Sequence, residues 1–227
     1  MTFGARTLIS SLGAIRVVPS AVSSMPTVFA DGAVDLTKHI ASPSTLNSAE
    51  SFIATNAMES YQFARSLIGK SGSFQKIDLV EVSAINYYTR LGYDEINVAL
   101  RSGDVELLKK LQPVIEAASS GLAKMTDKVF TGTVYRGAYL PANITSAYKV
   151  GANVTEKAFT STSRSFADKL PGNVLFVIQS KTGKMIEELS TFVNEKEVLF
   201  APGTVFKVIS KTVEGKNIKI LMEQLSP

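Results

Sequence analysis

The spacing of apolar residues changes near Lys128, and that change limits the folds open to this chain. From Asp31 to about Lys128 they recur every three or four positions, the period of helices that bury one face. A helix is predicted over 49–68, entered through the N-cap pattern Ser48-Ala49-Glu50 after a polar loop, 42–47, and ended by Gly69 and Gly72. A second is predicted over 78–91, stopped by Gly92, and a third over 93–101. Gly103-Asp104 caps a fourth, 105–125, which Pro113 should kink or split. Beyond Lys128, short runs rich in Val, Ile, Phe and Thr lie between glycines and prolines, which is strand texture. Strands are predicted over 129–136, 157–160, 174–180, 184–188, 197–200, 205–212 and 218–223. Their connections are mostly too short for crossover helices, so the pairing should be mostly antiparallel. The class is α+β, helices first and strands second. No repeat or low-complexity linker divides the chain. The simplest division is one domain over 31–227, helical to 128 and strand-rich from 129.

Composition removes several chemistries. With no cysteine there is no disulfide, thiol nucleophile or cysteine metal site. The single histidine, His39, leaves no multi-histidine metal centre and is read as a surface or helix-end residue, so no metal is expected. The net charge of +4 comes from interspersed lysines and glutamates without a long like-charged run, so no nucleic-acid partner is expected. Residues 1–30 contain no acidic side chain, and Val28-Phe29-Ala30 before Asp31 has the spacing of a signal-peptidase site. Arg16, Pro19 and Pro26 interrupt the apolar character. Two readings stand for this stretch, an export signal and a flexible arm. No segment reaches the roughly 20 apolar residues that span a bilayer, so no stable membrane anchor is expected.

Three motifs of the strand-rich part carry chemistry. Tyr135-Arg136-Gly137 places an arginine fork, suited to bidentate phosphate binding, beside a residue that lets a ligand approach the backbone. An ordinary salt bridge is the plainer role for Arg136. Ser161-Thr162-Ser163 is a hydroxyl cluster, and strand-edge polarity accounts for it equally. Ser165-Phe166-Ala167-Asp168 fits a capping box. In Glu195-Lys196-Glu197, two carboxylates on one strand would share a face about 7 Å apart and repel each other. A catalytic pair and a solvated strand end both fit that pattern.

Taken in this order, the three motifs resemble the R-S-E class of mono-ADP-ribosyltransferases, which includes many bacterial toxins. Tyr87-Tyr88, Ile96-Asn97 and Leu100-Arg101 add to the likeness, which then covers about 78–222. The resemblance implies N-terminal helices packed on a mostly antiparallel two-sheet β core. It implies NAD+ as co-substrate and an arginine of a host protein as acceptor, for a monomer secreted by a bacterium and acting inside target cells. By the same resemblance Arg136 holds the NAD+ phosphates and the Gly137 backbone binds the nicotinamide amide. Ser161 braces the site beside Thr162, and Glu197 binds the 2′-hydroxyl of the nicotinamide ribose. Glu195 orients the incoming arginine. Phe192 is either an acceptor contact or a loop anchor. In the loop 164–173, Phe166 either stacks on nicotinamide or is a buried helix residue, and Lys169 adds a phosphate contact. Two further functions share the motifs: an NAD+ glycohydrolase without a protein acceptor, and a non-catalytic binding module.

Overall fold

The computed structural model describes residues 35–68, 74 and 76–225, together with the backbone of 16–18. The expected export signal or arm, apart from those three residues, and the helix-ending Gly69 and Gly72 lie outside the described residues.

Helix α1, Pro43–Asn56, starts six residues before the predicted position. Ser42 is its cap, accepting from the Thr45 N–H at 3.1 Å. Pro43 occupies the first turn, where its fixed φ suits a helix and its missing N–H costs nothing. The chain leaves helical geometry at Ala57 (φ −150°, ψ 42°) and re-enters it as α2, Met58–Leu67, so the single predicted helix is two. α3, Leu79–Tyr87, opens on a capping box between Asp78 and Glu81 and is buried from Val80 to Tyr87, so it forms the centre of the helical layer. It does not stop at Gly92. A π-helical turn, Tyr88–Gly92, leads directly into α4, Tyr93–Ser102. Gly92 is helical, and a Cβ there would lie 2.5 Å from Cε1 of Tyr87, so the glycine makes room for a ring rather than a turn. α5, Val105–Lys124, is one helix with Pro113 inside it, so of the two expected effects, kink or split, the split does not occur. It packs on α3 where Glu81, fully buried, meets Ser120 and the Lys124 ammonium (2.6 Å). His39 lies against this layer, 3.5 Å from the Glu116 carboxylate, with its side chain only 14% exposed, so it is not a surface residue.

The remaining elements are β1 (Arg16–Val18), β2 (Val129–Ala138), the short α6 (Ala142–Thr145), β3 (Asn153–Thr155), β4 (Thr160–Ser163), β5 (Val174–Met185), β6 (Glu197–Phe200), β7 (Val205–Glu214) and β8 (Asn217–Gln224). The strand order is β1-β3-β7-β8-β5-β2-β4-β6, with β5 and β6 also paired. All pairs are antiparallel except β5–β8. The two expected sheets are joined into one ladder through β5. Its first half pairs with β8, and its end, Lys184 and Met185, pairs with β6. The two strands predicted over 174–188 are therefore one. The strand predicted over 157–160 is shifted, so the hydroxyl motif is itself β4.

Two apolar clusters form the core. The helical cluster takes in Phe159, Leu189 and Leu199 from the strand-rich part. The sheet cluster holds Val134, Phe176, Val198, Phe200, Phe206 and Ile220. Side chains alternate along β6, so Glu197 points to the side of Leu199, toward the helices.

Candidate active site

The ends of β2 and β4, the loop 164–173 and a 3₁₀ turn, Val193–Glu195, enclose a cleft. Arg136, Gly137, Ser161, Thr162, Ser163, Lys169 and Glu195 all line it. A roomier cavity between residues 35–40, α5 and the end of β6 contains none of the motif residues.

The two glutamates are not on one strand face. Glu195 ends the 3₁₀ turn, Lys196 is left-handed (φ 47°, ψ 49°), and only Glu197 is in β6. The turn separates the carboxylates by environment. Glu197 is 1% exposed and lies opposite Ser163 in the β4–β6 register, whereas Glu195 is half-buried at the cleft. A left-handed lysine costs roughly 1 kcal/mol or more and persists only when its surroundings hold it. Here its N–H reaches the Val193 carbonyl (3.3 Å), its carbonyl accepts from Arg164 N (3.1 Å), and its ammonium pairs with Asp168 (2.9 Å).

Arg136 Nη1 donates to the Ser161 carbonyl at 2.8 Å, joining the first two motifs. Burial lowers the pKa of this guanidinium, and so does the charge of Arg101 on α4; Glu156, Tyr88 and Tyr148 act the other way. The Arg136 guanidinium is thus within reach of a second like charge, and a dianion at the cleft would relieve both the burial and the repulsion. The Leu100-Arg101 pattern was visible in the sequence, but nothing there placed Arg101 beside Arg136. Tyr88 was equally hidden. It is buried at the π-turn, its ring centroid 4.8 Å from that of Phe159 and its hydroxyl accepting from Asn97 Nδ2 at 3.1 Å. Burial, and then the Glu197 charge, push its pKa up to about 12, against the opposing pull of Asn97, Arg136 and Arg101. Tyr88 is therefore a neutral phenol that feels the charges of the buried carboxylate and of both arginines.

Thr162 uses its hydroxyl structurally. It is buried and donates to the Val198 carbonyl at 2.6 Å, locking β4 to β6. Gly137 has a packing reason beyond ligand approach, since a Cβ there would sit 1.8 Å from the Leu170 carbonyl oxygen. Gly172 is constrained likewise against Ala138 N (2.3 Å), so the loop 164–173 crosses directly over the end of β2. Arg164 pins the loop with a two-point ion pair to Glu187 (2.6 and 3.0 Å). Residues 164–169 form turns, not the helix that a capping box would start. Phe166 is accordingly no buried helix residue. It is 54% exposed on the cleft rim, edge-on to Tyr135 (5.4 Å), with the Lys169 ammonium 4.3 Å from its ring centre. Phe192, half-buried, opens the 3₁₀ turn.

A helical layer packed on this ladder, with arginine, hydroxyl strand and glutamate turn at one end, defines the ADP-ribosyltransferase class of folds. The type III effector XopAI of Xanthomonas axonopodis pv. citri superposes with a TM-score of 0.75 at 18% identity, over 84% of this chain and 91% of that one. The chain belongs to the ADP-ribosyltransferase exoenzyme family, whose model matches residues 62–226. Among curated relatives, the Mycobacterium avium (strain 104) protein Mav is 35% identical over 153 residues, 66% of this chain and 18% of its own length. The NAD(+)–protein-arginine ADP-ribosyltransferase Tre1 of Pseudomonas putida (strain GB-1) is 37% identical over 139 residues, 61% of this chain and 28% of its own length. The chain thus spans less than a third of either relative.

Proposed function

We propose that this chain transfers ADP-ribose from NAD+ to the guanidinium of an arginine on another protein. The observation that carries the reading is the separation of the two carboxylates, one buried opposite the hydroxyl strand and one at the cleft beside Arg136. Arg136, with Arg101, takes the pyrophosphate, whose charge offsets the crowding of two cations. In the reaction the bond between ribose C1′ and the nicotinamide nitrogen breaks, and its electron pair leaves with nicotinamide. Positive charge develops on the sugar as in glycoside cleavage. Glu197 holds the 2′-hydroxyl and opposes that charge, an interaction stronger in the transition state than in the ground state. A guanidinium nitrogen then bonds to C1′ and loses a proton to Glu195, which passes it to solvent. Arginine is protonated at neutral pH, so a carboxylate that orients it and takes the proton late is needed.

Phe166 and Lys169 on the rim cover the nicotinamide side and a phosphate, and Phe192 faces the acceptor. The name of Tre1 supports arginine as acceptor. A host-cell protein as target, and action by a secreted monomer inside that cell, belong to the same reading. Among the described residues no helix is long and apolar enough to cross a membrane.

The test is incubation with NAD+ and agmatine, a small free guanidine, following nicotinamide release and ADP-ribosyl-agmatine separately. Both products at comparable rates support transfer. Nicotinamide without the adduct identifies a glycohydrolase, and neither product a binding module.

A further inference from the structure

The segment that brings Glu195 to the cleft is held at its start by the helical layer. Asn86, fully buried on α3, donates through Nδ2 to the Leu189 carbonyl at 2.9 Å and to the Thr191 hydroxyl at 3.3 Å. Thr89, fully buried in the π-helical turn, donates its hydroxyl proton to the Asn86 carbonyl at 2.9 Å. That commitment turns a lone pair toward the Thr191 N–H, which approaches to 3.4 Å. Beyond this tether, Phe192 N reaches the Ser190 hydroxyl (3.1 Å) and Glu195 N reaches the Phe192 carbonyl (3.0 Å). The tether thus fixes the start of the short turn that ends at Glu195, while Lys196, bonded to Arg164 and Asp168, fixes its far side.

Two features indicate more than packing. Asn86 Oδ1 is buried and meets no donor among the described residues. The Leu189 carbonyl can only accept, so the amide orientation is fixed by its partner. An aliphatic side chain would avoid the cost of the buried, unpaired Oδ1 but could not hold the loop. The second feature is the π-turn, an irregularity found often at functional sites. The same turn carries Tyr88, whose pKa the Glu197 charge raises, and sets Thr89 against Thr191.

We propose that Asn86 and Thr89 are positioning residues for the acceptor half of the site. They hold 189–195 so that Glu195 meets the incoming guanidinium, and they set how much ADP-ribose goes to arginine rather than to water. With water as acceptor, its oxygen bonds to C1′ and its proton goes to solvent. This inference rests on the transferase reading. Arg136 and Ser161, assigned to NAD+, stand on β2 and β4 rather than on the tethered segment.

The test uses the full chain with Thr89→Val, which keeps shape and loses the hydroxyl, Asn86→Leu, and Thr89→Ser, which keeps the hydroxyl. Transfer to agmatine, nicotinamide release, both KM values and thermal unfolding are measured. The expected result is a ten- to hundredfold fall in the transfer-to-hydrolysis ratio, roughly the effect of an ångström's misplacement, with a raised KM for agmatine. The KM for NAD+ stays within about twofold of wild type, and Thr89→Ser restores the ratio. An unchanged ratio in folded Thr89→Val overturns the inference, and so does a parallel loss of both substrates' parameters. If Asn86→Leu fails to fold, the Thr89 pair decides. Absence of transfer by the wild type overturns the transferase reading itself, and is distinguished because no variant is needed to see it.

Discussion

The Arg136 guanidinium donates to the main-chain carbonyl of Ser161, 25 residues away, at 2.8 Å. This bond fixes the end of β2 on β4 and uses one of the five N–H groups of the fork. The same side chain that organises the scaffold is thus aimed into the cleft, next to the charge of Arg101.

Arg136→Lys keeps a cation but loses the planar fork and the geometry it imposes. We expect kcat/KM for NAD+ to fall by about 10²-fold or more. Arg101→Ala should raise KM for NAD+ with a smaller effect on kcat, because it is assigned to phosphate binding. Titration calorimetry with NAD+ checks the binding half. Unchanged affinity in both variants would remove the pyrophosphate assignment.

Gly137→Ala forces a methyl into the Leu170 carbonyl, and backbone on both sides must move. The loop 164–173 should lift from β2, displacing Phe166 and Lys169. The expected outcome is a folded protein, less stable by about 1–3 kcal/mol, the usual range for overpacking, with weakened NAD+ binding. Denaturant unfolding and limited proteolysis at 164–173 report the two effects.

Tyr88 gives a pH dependence of known sign. Its pKa is about 12 in the fold and 10.0 as the ordinary value. Between those values the folded protein keeps a proton that the unfolded chain loses, so stability falls as pH rises from 10 toward 12. At about 1.4 kcal/mol per unit, the loss is on the order of 3 kcal/mol. Tyr88→Phe should be less stable at pH 8, where Asn97 loses its acceptor, yet show a flatter decline above pH 10. Urea midpoints of both proteins from pH 8 to 11.5 test this. Parallel curves would contradict it.

Much of the site was legible in the sequence because its chemistry is local. Tyr135-Arg136-Gly137 and Ser161-Thr162-Ser163 each lie on one strand, and β6 opens at Glu197 as the run Val198-Leu199-Phe200 suggests. Punctuation by glycine and proline was less dependable. Gly92 accommodates the Tyr87 ring, Pro113 is absorbed in α5, and Pro43 starts a helix instead of sitting in a loop. In each case packing decided what the residue does. The geometry of the glutamate pair was hidden because nothing about a lysine announces left-handed backbone. Arg101 beside Arg136, and Asn86 on Leu189 across 103 residues, depend on how the helices dock, which local periodicity does not encode.

The most direct measurement compares wild type, Glu197→Gln and Glu195→Gln for nicotinamide release and for ADP-ribosyl-agmatine formation. Both substitutions keep shape and remove the charge. Glu197→Gln should lose both activities by about 10²–10³-fold, because it removes the group opposing charge on the ribose. Glu195→Gln should lose transfer to a similar extent while still releasing nicotinamide from NAD+. Full activity in Glu197→Gln, or wild-type transfer by Glu195→Gln, would contradict the separate roles assigned to the two carboxylates.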